Sequence, residues 1–303
     1  YAILESRAFK KLKEFCIRKS ALCEGHSTLG KSISNTVFLK GCPLRCAWCH
    51  NPESQNPKIE ILLDPGRCIR CGKCAEACES HCHRFSKERI FDRSHCTTCG
   101  KCASVCPTGA LEVCGWEASA EAVFAEVIRD RDFYEMSGGG VTISGGEPLL
   151  QAEFTASLLR MLRENGIHTA IETSGFADED TFLSAITHCD LVLFDVKETD
   201  EKKHLVYTGV LPERILRNMT LMDKNGIPFW IRAPIIPFLN DRPAHLDALK
   251  QLSLRFESCL GVEIMSYHHT GAHKYARLGR AYTLSDIEAP SAETVEIWKK
   301  RIK

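Results

Sequence analysis

The stretch TVFLKGCPLRCAWCHNPE, residues 36–53, organises the rest of the chain. Its apolar run VFL predicts a buried strand that ends at Gly41. Three cysteines with a C-x3-C-x2-C spacing follow directly, and they are Cys42, Cys46 and Cys49. Three thiolates on one tight loop can bind three irons of a cubane and leave the fourth iron without a protein ligand. Because four-cysteine iron–sulfur sites are coordinatively closed, this arrangement indicates an iron reserved for a substrate or cofactor.

A structural zinc site is the alternative interpretation of the same loop. Zinc is usually bound by closely spaced Cys pairs and a fourth Cys or His, which His50 could supply. The x3-then-x2 spacing directly after a strand favours the iron–sulfur cluster.

Composition excludes several classes of partner. The 303 residues suffice for one large α/β domain and a small module. The 39 Lys and Arg residues equal the 39 Asp and Glu residues in number, so no net field favours nucleic acid or an anionic membrane. No apolar run approaches the roughly 18 residues of a membrane span, and no secretory segment is visible. The chain begins at Tyr1, so we expect the natural N-terminus to be absent or altered.

The 17 cysteines indicate a reducing compartment. They fall in short metal-type spacings and not in the spread pattern of a secreted disulfide framework. Because clusters with an open iron react with oxygen, we expect a cytoplasmic and anaerobic setting.

Residues 58–114 contain an internal repeat of two cysteine runs, CIRCGKCAEAC and CTTCGKCASVCP. Both have the C-x2-C-x2-C-x3-C spacing of bacterial two-cluster ferredoxins, in which the fourth cysteine of each run binds the other run's cluster. The two predicted ligand sets are Cys68, Cys71, Cys74 with Cys106, and Cys96, Cys99, Cys102 with Cys78. Paired zinc knuckles are the alternative, and Cys82 could replace Cys78 in the second set.

From about residue 117 onward, amphipathic helices alternate with apolar strands. The predicted strands are 36–40, 141–144, 168–173, 190–197, 228–234 and 261–266. The predicted helices are 118–134, 151–165, 178–186, 212–225 and 244–257. Repeated βα units imply a parallel sheet with right-handed crossovers, in which ligands lie at the carboxyl ends of the strands. Residues 1–34 are harder to interpret and contain one amphipathic helical segment, Phe9 to Ile17.

Polar residues follow three of these strands. Residues 145–148, GGEP, come after VTIS, and two glycines allow a ligand to approach the backbone closely. Asp195 and Lys197 end the fourth strand on one face, and Glu172 and Thr173 end the third. An ordinary turn and a salt bridge at a sheet end are the alternative interpretations.

Two longer strings complete the pattern: WIRAPIIPFLND, which contains Arg232, and MSYHHTGAHKYARLG, which contains His268. With the cysteine triplet, GGEP and DVK, they resemble the radical S-adenosylmethionine superfamily, and within it the glycyl-radical-enzyme activating enzymes. The similarity covers roughly residues 36–290. Phe238 stands where these enzymes usually have glycine, and STLGKSISNT replaces their D-G-P-G-x-R-T string before VFLKGC. The chain also stops at Lys303, so we expect a last strand of the family to be missing.

The resemblance implies the fold and the site. The fold is a partial (β/α)6 barrel, residues 35–57 and 115–303, interrupted by a ferredoxin-like insert at 58–114. Cys42, Cys46, Cys49 and Lys197 are the implied catalytic residues. The implied S-adenosylmethionine contacts are Gly145, Gly146 and Glu147 for the amino group, Lys197 for the carboxylate, Arg232 and His268 for the carboxylate and ribose region, and Trp48, His50 and Asn51 nearby. Glu172, Thr173 and Asp195 would form a monovalent-cation site.

The resemblance also implies the reaction. The reduced cluster cleaves S-adenosylmethionine, and the resulting 5′-deoxyadenosyl radical takes the α-hydrogen of a glycine on a partner enzyme. Three [4Fe–4S] clusters are expected, with ferredoxin or flavodoxin as the electron donor and a monomeric chain. Two alternatives stay open: a radical enzyme that acts on a small molecule or another peptide, and an iron–sulfur electron-transfer protein without catalysis.

Overall fold

The computed structural model describes residues 2–4, 17–20 and 34–303. Its strands are β1 (Ala2–Leu4), β2 (Ile17–Ser20), β3 (Ser34–Leu39), β4 (Glu60–Leu63), β5 (His83–Phe85), β6 (Arg89–Phe91), β7 (Leu111–Cys114), β8 (Trp116–Ala118), β9 (Gly140–Gly145), β10 (His168–Thr173), β11 (Leu191–Asp195), β12 (Phe229–Ile235) and β13 (Cys259–Ser266). Its helices are α1 (Lys73–Glu76), α2 (Lys101–Ser104), α3 (Ala120–Val127), α4 (Arg131–Ser137), α5 (Ala152–Glu164), α6 (Glu179–Ile186), α7 (Glu201–Thr208), α8 (Glu213–Lys224), α9 (Pro243–Arg255), α10 (Ala272–Arg277) and α11 (Ala292–Ile302).

Six parallel strands form the centre of the molecule, in the order β3-β9-β10-β11-β12-β13. They are the six strands that the sequence predicts, with ends that differ by no more than two residues, so the predicted parallel sheet is confirmed. Chain order equals spatial order because each crossover places the next strand beside the last one.

The main hydrophobic core lies between this sheet and the helices that follow its strands. Helix α5 buries three leucines completely, Leu158, Leu159 and Leu162, and β11 contributes the buried Val192 and Phe194 to the same core. Such continuous burial is typical of parallel strands that are covered by helices. Among the described residues, no helix is long and apolar enough to cross a bilayer.

The prediction of one continuous helix over residues 118–134 is wrong. The segment divides into α3 and α4, with a tight turn at Ile128–Asp130 between them. The buried Tyr134 hydroxyl donates to the Val127 carbonyl at 2.8 Å and accepts a hydrogen bond from Asn35 of β3. Because this side chain satisfies a carbonyl that the helix would otherwise use, the chain can turn there at little cost.

The sheet also has an antiparallel edge that the sequence does not predict. Strands β1 and β2 both pair with β3, and β8 pairs with β1. Residues 9–16 of the predicted helix Phe9 to Ile17 and residues 24–33 of the altered loop lie outside the described residues, and Ile17 begins β2.

Residues 58–114 fold as two similar halves. Strand β4 pairs with β7 and β5 pairs with β6, each as an antiparallel pair. The two short helices start after Gly72 and Gly100, which have left-handed φ values of 83° and 76°. Glycine adopts this conformation without steric cost, so the shared Cys-Gly-Lys-Cys string produces the same turn twice.

Candidate active site

A cavity opens at the carboxyl ends of the parallel strands, where the topology places ligands. Its cavity volume is about 230 Å³, slightly below the roughly 300–1,000 Å³ that is typical of small-molecule sites, and its mouth is open to solvent. The predicted residues that line it are Cys42, Cys46, Trp48, Cys49, His50, Asn51, Gly145, Gly146, Glu172, Thr173, Asp195, Lys197, Arg232 and His268. Predicted residues from all six parallel strands, or from the loops that follow them, therefore meet around one space.

The cysteine loop is held in place mainly through its backbone. Arg45 N–H donates to the Thr208 carbonyl at 2.7 Å, and Ala47 N–H donates to the Tyr207 carbonyl at 2.9 Å. At its start, Gly41 has a φ of 101°, and a Cβ atom there would lie 2.5 Å from the Leu150 side chain. Only glycine fits this turn from β3 into the loop.

The chemistry of the three thiols fits an iron–sulfur cluster. Burial raises the pKa of Cys46 to about 12 and moves the pKa of Cys42 and Cys49 upward as well. Thiolates form in such a place only when a strong cationic centre compensates them, as bound iron does. Within the described residues, no three Cys, His, Asp or Glu side chains are grouped tightly enough to bind one metal ion.

The GGEP turn serves the fold as well as the cavity. A Cβ atom on Gly145 would lie 2.1 Å from the Leu39 carbonyl oxygen, and one on Gly146 would lie 2.3 Å from the Gly41 carbonyl oxygen. The two glycines therefore let β9 approach the cysteine loop, and this close packing forms one wall of the cavity.

Glu147 does not line the cavity, and its predicted contact with the cofactor stays a prediction. Its fully buried carboxylate accepts hydrogen bonds from the Thr173 hydroxyl at 2.6 Å, from Ser174 N–H at 2.9 Å and from Leu149 N–H at 3.2 Å. Burial raises the pKa of Glu147, although these hydrogen bonds oppose the rise. In the structure, Glu147 braces the end of β9 against the end of β10.

The charged residues at the strand ends are paired with each other. Glu172 forms an ion pair with Arg232 and accepts a hydrogen bond from Ser144, and Lys197 Nζ lies 2.8 Å from Asp195 Oδ2. Burial raises the pKa of Glu172, but Arg232, Ser144 and Lys197 together outweigh it and the net shift is downward. Burial likewise opposes protonation of Lys197, yet Asp195 and the cysteine thiols raise its pKa. Two fixed cations, Lys197 and Arg232, thus face the cavity, where they can bind a carboxylate.

Two histidines form another wall of the cavity. The His50 and His268 rings lie against each other at a centroid distance of 4.2 Å, with their planes tilted by 33°. Burial, with the neighbouring His268 and Lys274, lowers the pKa of His50 to about 4, so this ring is neutral at neutral pH. A neutral aromatic surface suits a planar or apolar group better than an anion.

Helix α10 supplies functional residues that sequence reasoning missed. Lys274 Nζ donates to Asn51 Oδ1 at 2.7 Å and forms an ion pair with Glu53, and the Tyr275 hydroxyl donates to the Cys49 carbonyl at 3.1 Å. These contacts clamp the cysteine loop from more than 220 positions away in sequence. The string HHTGAHKYARLG contains both residues, but the sequence does not show which residues of the cysteine loop they contact.

The insert cysteines also surround cavities. One small cavity is lined by the four cysteines of the first predicted set, Cys68, Cys71, Cys74 and Cys106. In the second set, burial raises the pKa of Cys102 to about 11, and the charges of Cys96, Cys78, Cys74 and Cys99 add to the rise. Cys82 is 1% exposed, and its N–H contacts Cys78 Sγ at 3.4 Å, so both thiols stay candidates for the second set.

The chain matches known proteins over most of its length. The model of the radical SAM superfamily matches residues 36–249. The isethionate sulfite-lyase activating enzyme of Nitratidesulfovibrio vulgaris is 38% identical over 88% of this chain and 92% of its own length. The trans-4-hydroxy-L-proline dehydratase activating enzyme of Clostridioides difficile is 39% identical over 89% of this chain and 91% of its own length.

A solved structure agrees with the fold. Streptococcus suis SuiB bound to precursor peptide SuiA superposes with a TM-score of 0.51 at 14% identity, covering 86% of this chain and 44% of SuiB. At this identity the likeness concerns the fold alone. Taken with the cysteine triplet at the carboxyl end of the first parallel strand, the sequence matches show that the chain belongs to the glycyl-radical-enzyme activating enzymes of the radical SAM superfamily.

Proposed function

We propose that the cavity at the sheet ends binds a [4Fe–4S] cluster on Cys42, Cys46 and Cys49 together with S-adenosylmethionine. The observation that carries the proposal is the meeting of three half-buried thiols with Lys197 and Arg232 in one space. The thiols leave one iron open, and the two cations match the carboxylate of an amino acid.

The protein's own residues orient and shield the cofactor. Lys197, fixed by Asp195 at 2.8 Å, binds the methionine carboxylate, and the Gly145–Gly146 backbone accepts its amino group. Trp48 and Asn51 lie on the cysteine loop, and the pair of His50 and His268 lines the side suited to the nucleoside. Bound S-adenosylmethionine and the reduced cluster supply the carbon radical that removes the glycine hydrogen. The chain contributes by holding the reactants in a fixed position relative to each other.

The predicted monovalent-cation site at Glu172, Thr173 and Asp195 is the least supported part of this proposal. Both oxygens of Glu172 already have protein partners, Arg232 and Ser144. The Thr173 hydroxyl donates to Glu147 and accepts from Gly175 N–H. A cation would therefore need these side chains to exchange partners, and Asp195 is the oxygen ligand with the fewest competing contacts.

For the insert, we propose a ferredoxin-like domain over residues 58–114 with two further [4Fe–4S] clusters. Its support is the single cavity that gathers the four cysteines of the first predicted set. The two clusters would relay electrons from a ferredoxin or flavodoxin, in a monomeric cytoplasmic protein that activates a glycyl radical enzyme without nucleic-acid or membrane partners.

Ion pairs and hydrogen bonds also join the insert directly to the barrel. Arg277 of α10 forms an ion pair with Glu112, and Arg93 Nη2 donates to the Arg277 carbonyl at 2.8 Å. Lys40, which is fully buried, reaches Glu60 at 3.2 Å and the Glu53 carbonyl at 2.6 Å. These contacts hold the insert beside the cysteine loop, as an electron relay requires.

Anaerobic reconstitution tests the proposal. We expect about twelve irons per chain, the content of three cubanes, and release of 5′-deoxyadenosine when reductant and S-adenosylmethionine are added. Cys46→Ala should abolish nucleoside release and keep about eight irons. Cys189→Ala, which removes a buried thiol of the main core, is the matched control and should keep both.

Two outcomes would contradict the proposal. Four or fewer irons, or zinc in place of iron, would indicate a metal-stabilised scaffold. A full iron content without nucleoside release would favour an electron-transfer protein. With a glycyl radical enzyme encoded beside this chain, the electron paramagnetic resonance signal of the glycyl radical then tests the partner.

A further inference from the structure

The two halves of the insert are equivalent at an offset of 28 residues, in both their cysteine runs and their strand pairing. Ile61 pairs with Val113 in one half, and Arg89 pairs with Phe85 in the other. Arg89 therefore occupies the place that Ile61 occupies in the first half. The repeat is symmetric in its cysteines and asymmetric at this position.

The two residues have very different surroundings. Ile61 is 2% exposed and belongs to the small apolar core of the insert, together with Cys74 and Cys102. Arg89 lines the cavity of the first cysteine set, and its Nη2 atom lies 3.7 Å from Cys74 Sγ. A fixed cation thus touches a ligand of one predicted cluster, where the other half has an aliphatic side chain.

The guanidinium of Arg89 lies over the Phe85 ring, 5.8 Å from its centroid, and has no carboxylate partner among the described residues. Its Nε and Nη1 atoms are buried and have no hydrogen-bond partner among the described residues. Its remaining nitrogen, Nη2, contacts only Cys74 and the His83 ring, at 3.7 and 3.4 Å. A buried charge of this kind is costly unless an opposite charge lies close to it. A cubane with four thiolate ligands has a net negative charge and would supply that partner in the cavity that Arg89 lines.

The second cysteine set has a more balanced environment. Arg93 lies close to Cys96, but its guanidinium donates to the carbonyl oxygens of Ile61 and Arg277 and faces the carboxylate of Glu60. Asp92 adds a further negative charge close to Cys82. The cation near this set is therefore shared with acidic and carbonyl groups.

We infer that Arg89 gives the cluster on Cys68, Cys71, Cys74 and Cys106 a higher reduction potential than its twin, an inference that rests on the proposed two-cluster insert. One-electron reduction makes a cluster more negative, and a cation held in a low-dielectric site stabilises the reduced form. In the step itself, the ferredoxin or flavodoxin donor loses one electron and this cluster gains it, and no bond forms or breaks. An electron that enters the insert then resides first on this cluster.

The experiment uses the full chain with Cys42, Cys46 and Cys49 changed to alanine, so that only the insert clusters are titrated. Reductive titration followed by electron paramagnetic resonance should show two separate one-electron steps. Arg89→Gln should lower the higher of the two reduction potentials by at least about 59 mV, which for one electron is a tenfold change in the reduction equilibrium constant. Arg89→Lys, which keeps the positive charge, should retain most of the higher reduction potential. The control Arg84→Gln removes a 65% exposed cation from the neighbouring strand and should leave both steps in place.

The outcomes separate this inference from the proposal beneath it. About four irons in the triple-alanine chain would overturn the two-cluster insert and the inference with it. About eight irons with unchanged potentials in Arg89→Gln, or with a shift in the lower step only, would overturn the role of Arg89 and keep the clusters. A loss of potential that Arg89→Lys does not restore would assign the effect to packing, and so would also refute the inference.

Discussion

The clamp of α10 on the cysteine loop can be tested by removing its cation. Lys274 and Glu53 form an ion pair in which the two side chains are 9% and 4% exposed. Replacing one member of such a buried pair costs about 3–5 kcal/mol, because the other charge is left buried. We therefore expect Lys274→Met to lower the unfolding free energy of the metal-free chain by about 3 kcal/mol or more, measured by denaturant unfolding followed by circular dichroism.

A double-mutant cycle separates the charge from the packing. Glu53→Gln with Lys274→Met removes both charges, so much of the lost stability should return and the coupling should exceed about 1 kcal/mol. Lys299→Met is the control, because Lys299 pairs at 2.9 Å with the largely exposed Glu296 and should contribute less than about 1 kcal/mol.

The same change should reach the cluster. Lys274 also holds Asn51, two positions after Cys49, so its removal should speed the release of iron from the reconstituted chain to a chelator. If Lys274→Met stays within about 1 kcal/mol of the parent chain, or if the two single changes simply add, the clamp is not an electrostatic one and the reasoning fails.

Four further predictions follow from single positions. Lys197→Met should weaken S-adenosylmethionine binding by about 10- to 100-fold in equilibrium dialysis, since a charge-assisted hydrogen bond contributes about 1.5–3 kcal/mol, and unchanged affinity would remove Lys197 from the site. Phe238 is 87% exposed but has a φ of 66°, so Phe238→Val should lower the melting midpoint although Phe238→Gly does not; equal midpoints would contradict the strain argument. Cys78→Ser should lose about four irons and Cys82→Ser none, with the reverse result assigning Cys82 as the ligand. Burial lowers the pKa of His245 to about 4, below the usual 6.5 of an unfolded chain. The unfolded state therefore binds more protons, and the unfolding free energy should fall by at most about 3 kcal/mol as the pH drops from about 6.5 to 4. His245→Gln should flatten this dependence on pH.

The parallel sheet was predictable because its signals are local. Each strand has five to eight residues and contains an apolar segment, and a helix with apolar residues at helical spacing follows most of them. The antiparallel edge was not predictable for the opposite reason. Strands β1 and β8 have three residues each, too short for any periodicity, and they pair across more than 110 positions.

The site was predictable in its members and not in their partners. Side chains at strand ends must converge in a parallel sheet, so Glu172, Asp195 and Lys197 could be placed together from the sequence. Which charge pairs with which depends on the register between strands, and no sequence pattern states it. Glu147 shows the consequence, because its position in GGEP indicates a ligand while its carboxylate in fact joins β9 to β10.

The structure explains why phenylalanine at position 238 is an unusual choice, which the sequence alone does not. The family string has glycine at this position, and the left-handed φ of 66° gives the physical reason, since glycine alone adopts it freely. A phenylalanine there is retained at a steric cost of roughly 1 kcal/mol, with its ring 87% exposed beside Leu239 at the end of β12. The ring buries almost nothing within the chain, so packing does not offset this cost.

The insert makes the opposite point about repeats. A repeat is recognised by what its halves share, and the eight cysteines hide the difference between Ile61 and Arg89. The difference becomes visible only when strand pairing shows that the two positions are equivalent. Two clusters in identical surroundings would share an electron equally and give it no preferred place. One buried guanidinium is enough to remove that equality, because charge acts strongly where water is excluded. The asymmetry of a single side chain can therefore set the order in which a symmetric pair of clusters is reduced.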